Sequence, residues 1–419
     1  MLKILFLACW VPPIYSYLVY PLLLAALARL RAPGGTDRFS AAGARAGTDS
    51  ASSGNDGPAQ PSVTIMIPAH DEEQVIESKI ANCLLLDYPP SRLEIFVLSD
   101  GSTDRTVAKA REAARAHPGE ARIAVIDHPV RRGKTACLNE DVPSTSGEIV
   151  VHTDANAILA PDALRWIVVP FADPRVGCVV GELLYTNTAE PAVAGGEGLY
   201  WRYENWIKEN ESRLGSTITA NGGIYALRRR LFEPLPNHIA GDAADPLIIA
   251  RQGFKVLFER RARAYERAAS TLLEEFQRKS RIITQGIAAY FWVRGLLLPP
   301  RPWPAFELLS HKLLRWTVPL CLLCALALNL PLASSPLFAL SLAGQAAFYL
   351  LAAVGVARAA RDERAGQRAA QDTASFPARL ALLAGYFCVV NTAAIAGMID
   401  FARGVRRPMW EKSPSTRHA

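Results

Sequence analysis

The chain has 419 residues, of which half are hydrophobic and a fifth are charged, and its formal net charge is +7. This composition excludes a disordered or fibrous protein, since such chains are poor in apolar residues. The mean hydropathy of +0.11 indicates apolar segments that face lipid, and the charge is too mild to favour nucleic acid as a partner.

An uncharged apolar run extends from Ile4 to Ala28 and is long enough to cross a bilayer. A cleaved signal peptide is the alternative, but the run is longer than a signal-peptide core and no small-residue cleavage site follows it. We therefore predict an N-terminal transmembrane anchor at residues 1–31. Arginines follow the run, so the positive-inside rule places the next domain in the cytosol. Residues 32–61, rich in Gly, Ala and Ser, predict a flexible linker.

From Val63 onwards, short apolar runs typical of strands alternate with segments of helical spacing. The predicted strands are 63–67, 94–98, 122–126, 148–153 and 176–184, and the predicted helices are 72–86, 104–116 and 164–171. This alternation predicts an α/β domain with a largely parallel sheet, which we place at residues 62–290. Ligands of such sheets bind beyond the carboxyl ends of the strands, where this chain has polar clusters.

The chain becomes apolar again after residue 290. Residues 291–316 mix Leu, Trp and Pro with basic residues, which predicts an amphipathic segment at the membrane interface. Three uncharged runs follow and predict transmembrane helices within residues 317–402. The loop 358–379 and the tail 403–419 are both basic, although three spans would place them on opposite sides. Either one of them departs from the positive-inside rule or one apolar run is re-entrant.

Two acidic clusters follow predicted strands. In Ser99-Asp100-Gly101-Ser102-Thr103-Asp104, the Asp100 carboxylate can accept hydrogen bonds from a ribose or a base, although the string is also typical of a turn and a helix N-cap. In Asp154-Ala155-Asn156, a carboxylate and an amide oxygen can bind a divalent cation that bridges a diphosphate. A plain turn is the alternative there too.

Lys134 is a candidate phosphate contact within Arg132-Gly133-Lys134-Thr135, which resembles the end of a P-loop. His128 stands where a P-loop requires glycine, so that fold is disfavoured. No G-x-G-x-x-G follows a strand, which disfavours a dinucleotide fold as well.

Two charged motifs lie further along the chain. Asp242 and Asp245 begin a predicted helix, where a carboxylate can deprotonate an acceptor hydroxyl or simply cap the helix. The basic run 277–281 is either a solvated helix face or a clamp on a leaving diphosphate, which arginine suits through paired hydrogen bonds.

In their order and spacing these motifs resemble those of membrane-bound family-2 glycosyltransferases, over about residues 60–290. The matching strings are Pro68-Ala69-His70-Asp71-Glu72-Glu73, Ser99-Asp100-Gly101-Ser102-Thr103-Asp104, Gly133-Lys134 with Asn139, Thr153-Asp154-Ala155-Asn156, Ala220-Asn221-Gly222-Gly223-Ile224-Tyr225-Ala226, Gly241-Asp242 with Pro246-Leu247 and Gly253-Phe254, and Arg278-Lys279-Ser280-Arg281. The resemblance implies a GT-A fold, inversion at the anomeric carbon and a divalent metal. The family includes cellulose, hyaluronan, chitin and poly-N-acetylglucosamine synthases.

On the donor side, the resemblance implies that Asp100 binds the nucleoside of a UDP-sugar and that Ala69 and Asp71 line the uridine pocket. It implies that three basic residues contact the diphosphate, namely Lys134, Arg278 and Arg281.

On the reaction side, the resemblance implies that Asp154 and Asn156 hold Mg²⁺ or Mn²⁺ on the diphosphate. Asp242 would be the general base, and Asn221 and Gly222 would shape the acceptor side.

Three positions depart from the family pattern. Asn156 replaces an aspartate, which lowers the charge of the metal site. Gly241 stands where the family usually has an acidic residue, which leaves Asp242 and Asp245 as alternative bases. Ile282 stands where processive members have tryptophan, and the absence of that tryptophan removes a stacking platform for the acceptor sugar.

We therefore expect an inverting glycosyltransferase of the inner membrane with a cytosolic catalytic domain. It would move a hexosyl or N-acetylhexosaminyl group from a UDP-sugar to a hydroxyl of a glycan or lipid-linked acceptor, in bacterial exopolysaccharide or cell-surface glycan synthesis. One alternative is single addition to polyprenyl phosphate or to a lipid-linked oligosaccharide. The other is a non-catalytic membrane subunit that binds sugar nucleotides.

Overall fold

The computed structural model describes residues 1–31, 60–119, 121–186, 192–269, 271–297, 302–364, 375–406 and 408–409. The predicted linker 32–61, apart from its last two residues, lies outside the described residues, as does most of the predicted tail 403–419. Part of the basic loop 358–379 also lies outside them.

Eight strands of the described chain form one sheet in the order β3-β2-β1-β4-β7-β6-β8-β5. They are β1 Val63–Ala69, β2 Leu93–Asp100, β3 Arg122–His128, β4 Ile149–His152, β5 Ile158–Leu159, β6 Val176–Tyr185, β7 Tyr225–Arg228 and β8 Lys255–Glu266. β7 runs antiparallel to β4 and β6, and β5 runs antiparallel to β8. The other strands share one direction, so the prediction of a largely parallel α/β sheet is confirmed.

Helices cover both faces of the sheet, which explains why β1 and β2 are mostly apolar and are buried along their whole length. The helices up to residue 292 are α1 Leu2–Leu30, α2 Ile76–Leu84, α3 Thr106–Ala116, α4 Lys134–Asp141, α5 Ala163–Val168, α6 Ala192–Leu214, α7 Gly241–Arg251 and α8 Leu272–Trp292. The helix predicted from residue 72 begins only at Ile76, because the residues before it form the turn after β1.

Four helices of the described chain are long and apolar enough to cross a membrane: α1, α9 Pro302–Leu332, α10 Pro336–Arg364 and α11 Phe376–Ala402. At 1.5 Å per residue α9 is about 46 Å long, which exceeds the roughly 30 Å of a hydrocarbon core. The described part of the segment 291–316, which we predicted to lie at the membrane interface, comprises the end of α8, a short turn at Arg294–Leu297 and the first half of α9.

The last apolar helix, α11, lies beside α8 and runs in the same direction. Three contacts occur in the same order along the two helices: Tyr386 with Glu275, Gly397 with Thr284, and Phe401 with Phe291. Beyond α11, Pro408 lies against Gly133 at the start of α4. From Tyr386 to its C-terminal end, α11 therefore lies next to an element of the α/β domain.

Candidate active site

A cavity of about 790 Å³ lies at the carboxyl ends of the parallel strands and continues among the apolar helices. Its inner wall carries residues that the sequence singled out, namely Lys134, Asp154, Asn156, Asn221, Gly222, Asp242, Arg278 and Arg281. Its outer wall includes Tyr17 of α1, Arg315 of α9 and Asn391 of α11. The cavity thus joins the polar end of the sheet to the apolar helices.

Asp154 follows β4 directly and is held by two neighbours. Its backbone N–H donates to the Gly222 carbonyl at 3.0 Å, and one carboxylate oxygen lies 2.5 Å from the Lys134 ammonium at the start of α4. A side chain at Gly222 would overlap the other carboxylate oxygen. The site therefore requires a residue without a side chain at position 222 and places a cation beside Asp154.

The oxygen atoms of Asp154 and Asn156 fit a divalent metal whose remaining ligands are supplied by a substrate. The Asn156 amide also lines the cavity, and its N–H donates to the Glu266 carboxylate at 2.7 Å. No group of three or more His, Cys, Asp or Glu side chains among the described residues is placed to hold a metal by itself. Mg²⁺ usually binds one or two carboxylates together with substrate phosphates, so this incomplete set of protein ligands is the expected one.

Asp242 and Asp245 lie in the first turns of α7 but differ in surroundings. Asp242 lines the cavity, and burial raises the pKa of its carboxyl, an effect that the charges of Lys134 and Arg281 oppose. Asp245 is 4% exposed and accepts a hydrogen bond from the Tyr225 hydroxyl at 2.8 Å. Burial raises the pKa of Asp245 to about 7. Of the two alternative bases, only Asp242 faces the cavity.

The glycine that departs from the family pattern, Gly241, has little room for a side chain. An added Cβ would lie 3.0 Å from the Tyr225 hydroxyl and 3.1 Å from an Asp245 carboxylate oxygen. An acidic side chain at this position would place a second carboxylate against Asp245.

The predicted nucleoside ligands are not among the residues that line the described cavity wall. Asp100 is fully buried, and its carboxylate oxygens accept hydrogen bonds from the backbone N–H groups of Arg132 and Gly133 at 2.7 and 2.8 Å. Ala69 is also fully buried, and the Asp71 carboxylate accepts from the Thr103 N–H at 2.7 Å. In this structure the three residues shape the loops that end β1 and β2, and their contact with a nucleoside remains a prediction.

The predicted phosphate and acceptor residues reach the cavity. Arg278 donates to the Glu275 carboxylate at 2.9 Å and to the Tyr185 hydroxyl at 3.2 Å, which fixes its guanidinium at the wall, and Arg281 lies one helical turn further on. Asn221 uses its side chain on the backbone: its N–H donates to the Gly181 carbonyl at 2.9 Å, and its oxygen accepts from the Ile224 N–H at 3.1 Å. Asn221 therefore shapes the loop before β7.

Sequence reasoning missed a group of charged residues at the outer wall. Lys208 and Glu204 come from α6, and Lys312 and Arg315 come from the first half of α9. Although burial opposes it, the charges of Lys312 and Arg315 lower the pKa of Glu204 well below its usual value. The available signal was the spacing of charges by three or four residues on each helix, together with basic residues next to an apolar run.

Comparison with known proteins gives three findings. The model of a family described as "Glycosyltransferase like family 2" matches residues 60–284, more than half of the chain. The β-monoglucosyldiacylglycerol synthase of Nostoc sp. is 29% identical over 175 residues, which are 41% of this chain and 37% of that protein. The poly-β-1,6-N-acetyl-D-glucosamine synthase of Staphylococcus epidermidis is 26% identical over 161 residues, 38% of each chain. The matches thus span well under half the length of these curated relatives.

The structure is similar to that of the mannosyltransferase PcManGT from Pyrobaculum calidifontis, which was solved in complex with GDP-Man and Mn²⁺. The TM-score is 0.66 at 22% identity, and the match covers 96% of this chain and 99% of that chain. The likeness shows a shared fold. The predicted fold class, a GT-A domain with apolar helices before and after it, is confirmed.

Proposed function

The chain belongs to glycosyltransferase family 2, and we propose that it is an inverting enzyme that moves a sugar from a UDP-sugar to a hydroxyl of a lipid or lipid-linked acceptor. One observation carries the proposal: a single cavity holds Asp154, Lys134 and Asp242 at one end and residues of α1, α9 and α11 at the other. A water-soluble donor can enter such a cavity from the sheet end, and an acceptor with an apolar tail can enter from the helices.

In the proposed reaction, Asp242 accepts the proton of the acceptor hydroxyl while that oxygen attacks the anomeric carbon of the donor. The bond from that carbon to the nucleoside diphosphate breaks, and the configuration inverts. Lys134, Arg278 and Arg281 stabilise the charge that develops on the leaving group. Asp154 and Asn156 would hold Mg²⁺ or Mn²⁺, which supplies further positive charge to the diphosphate.

Limited addition is favoured over long polymerisation by Ile282, which lines the cavity and is about half exposed. It occupies the position of the tryptophan in processive members and offers no aromatic surface for a growing glycan. The proposal of a non-catalytic subunit is disfavoured, because Asp154 and Asp242 line the same cavity.

The function is tested by nucleoside diphosphate release from full-length protein in lipid nanodiscs, with a panel of UDP-sugars and GDP-mannose and with product sizing. We expect release with a UDP-sugar and a product that carries one or a few sugars. Asp154→Ala should abolish release, whereas Asp87→Ala should not, because Asp87 is exposed, pairs with Arg165 and lies outside the described cavity wall. Wild-type turnover by Asp154→Ala would refute the site, and GDP-mannose as the sole donor would refute the UDP assignment.

For the membrane arrangement, we propose that the α/β domain is cytosolic and that α11 lies at the cytosolic interface instead of crossing. The end of α10 also lies near this domain, since Glu363 accepts a hydrogen bond from the Leu272 N–H at 3.0 Å. This arrangement places the loop 358–379 and the tail 403–419 on the same side, which satisfies the positive-inside rule for both.

The arrangement is tested by labelling engineered cysteines in intact cells with a maleimide that does not cross membranes. Arg361→Cys and Arg403→Cys should be labelled only after permeabilisation, and Ser334→Cys, in the turn between α9 and α10, should be labelled in intact cells. The unmodified protein, with its seven cysteines, is the background control. Labelling of Arg403→Cys in intact cells would show that α11 crosses the membrane.

A further inference from the structure

A cluster of cationic residues lies where the cavity meets the apolar helices. It consists of Lys208 from α6 and of Lys312 and Arg315 from α9, all of which line the cavity, and we call it the membrane-side cluster. Arg278 and Arg281, the residues proposed to hold the donor diphosphate, come from a different helix. The proposed reaction leaves the membrane-side cluster without a role.

The protein neutralises this cluster only in part. Glu204 is the one carboxylate of α6 and α9 at the described cavity wall, and it accepts hydrogen bonds from Arg315 and, at 3.2 Å, from Lys312. The ring nitrogen Nε2 of His311 also lies 3.1 Å from Glu204. The ammonium of Lys208 lies 5.0 Å from the centre of the Trp201 ring. At the described wall three cations therefore face one carboxylate, while the fully buried Glu211 behind it is paired with His311 at 2.7 Å. The cavity side of the cluster therefore carries excess positive charge.

Arg315 indicates the chemistry of a ligand that the membrane-side cluster would bind. Its residue exposure is 7%, and it uses one terminal nitrogen, Nη1, for Glu204. Its other two guanidinium nitrogens, Nε and Nη2, are buried without a hydrogen-bond partner in the protein. Buried unpaired donors are costly, and the Nε–Nη2 edge of a guanidinium is the fork that binds two oxygens of a phosphate or carboxylate.

The position of the cluster indicates that this oxyanion belongs to a lipid. The Arg315 guanidinium lies 5.4 Å from the centre of the Tyr17 ring of α1, and Asn391 of α11 lines the same cavity, so the cluster is next to helices suited to a bilayer. Both α1 and α9 widen to a π-helical turn here, at Tyr15–Val19 and Leu308–Leu313. Such turns often occur at functional sites.

Given the proposed function, on which this inference rests, we propose that the membrane-side cluster binds the phosphate of the acceptor lipid. The acceptor is then a lipid with a phosphate between its apolar tail and its hydroxyl headgroup. Arg315 holds two phosphate oxygens through Nε and Nη2, Lys208 and Lys312 supply further charge, and the headgroup hydroxyl extends towards Asp242. A neutral lipid would leave the Arg315 donors unpaired.

The proposal is tested by binding, without any donor sugar. Full-length protein in a neutral maltoside detergent is mixed with fluorescent phosphatidylglycerol, and displacement by unlabelled phosphatidylglycerol, diacylglycerol or inorganic phosphate is followed by polarisation. We expect phosphatidylglycerol to compete at least about tenfold more strongly than either of the others, since only it combines the tail with the anionic group. Equal competition by diacylglycerol would overturn the phosphate requirement, and equal competition by inorganic phosphate would overturn the lipid assignment.

Substitutions test whether phosphatidylglycerol binds at the membrane-side cluster. Arg315→Lys keeps a cation near Glu204 but removes the Nε–Nη2 fork, and it should weaken phosphatidylglycerol binding about tenfold. Arg261→Lys is the matched control, because Arg261 also pairs with a buried glutamate, Glu259, but lies outside the cavity wall. If Arg315→Lys does not fold, Lys312→Gln should still weaken binding, since it removes one of the three positive charges of the cluster. Wild-type affinity in the folded variants would refute the cluster.

The nucleotide-release assay on the same preparations separates the two proposals. Release of nucleoside diphosphate without selective phosphatidylglycerol binding would overturn this inference and leave the proposed function in place. Selective binding that Arg315→Lys weakens, without release from any donor, would overturn the proposed function alone.

Discussion

Asp242→Asn should reduce sugar transfer by about 10²- to 10⁴-fold, the usual contribution of a positioned general base. At 1.36 kcal/mol for each factor of ten, this is an increase of about 2.7–5.4 kcal/mol in the activation barrier. Asparagine has nearly the same shape as aspartate and should fit the first turn of α7, so the loss comes from the missing proton acceptor. Asp245→Asn is the matched control, because its amide oxygen can still accept a hydrogen bond from the Tyr225 hydroxyl.

The pH dependence gives this prediction a second readout. Burial raises the pKa of Asp242, and only the ionised carboxyl can accept a proton, so turnover should rise with pH through a midpoint above that of an ordinary aspartate. The residual activity of Asp242→Asn should lack this acidic limb. The assay is nucleoside diphosphate release with saturating donor and acceptor at several pH values. Wild-type turnover by Asp242→Asn, or a larger loss in Asp245→Asn, would refute the assignment of the base.

Three further predictions concern the metal, the donor site and stability. Chelation by EDTA should stop nucleotide release and added Mn²⁺ should restore it; undiminished release would exclude a divalent cofactor. Gly222→Ala should raise the donor KM at least about tenfold, because the added methyl overlaps the Asp154 carboxylate, whereas Gly344→Ala, which meets nothing within 4 Å, should match the wild type. The carboxyl of Asp245, with its pKa raised to about 7, binds a proton in the folded state that it loses on unfolding, so wild-type stability falls as pH rises from about 4 to 7. The melting temperature of Asp245→Asn relative to wild type should therefore increase over that range, and a constant difference by scanning fluorimetry would contradict this.

The inner wall of the site could be predicted from sequence because each part follows a local rule. Asp154 comes directly after a buried strand, Lys134 begins a helix, and Asp242 lies in the first turn of another helix. Local patterns of this kind do not depend on contacts between distant segments, and parallel strands bring their carboxyl ends to one edge of the sheet. The choice between Asp242 and Asp245 as the base could not be made from the local sequence. It depends on the hydrogen bond that Asp245 of α7 accepts from the Tyr225 hydroxyl of β7.

The outer wall could not be predicted, because it arises from contacts between distant segments. Glu204 and Arg315 are 111 residues apart in the chain, and neither belongs to a motif. The antiparallel strand β7 was missed because its four residues are too few for a period-two pattern. The path of α11 beside α8 is set by packing, and an apolar run alone gives no direction relative to the bilayer.

Two carboxylates, Asp154 and Asp242, lie close together at the donor end of the cavity, and the ion pair of Lys134 with Asp154 reduces the repulsion between them. Asp154 raises the pKa of Asp242 by repulsion, and Lys134 counteracts that effect from 2.5 Å beside Asp154. Under the proposed function, a donor diphosphate with a divalent cation would supply a replacement partner for Asp154 and a new anionic partner for Lys134. Such an exchange would keep the charge of the site balanced with and without the donor, and it would leave Asp242 as the carboxylate available to the acceptor hydroxyl.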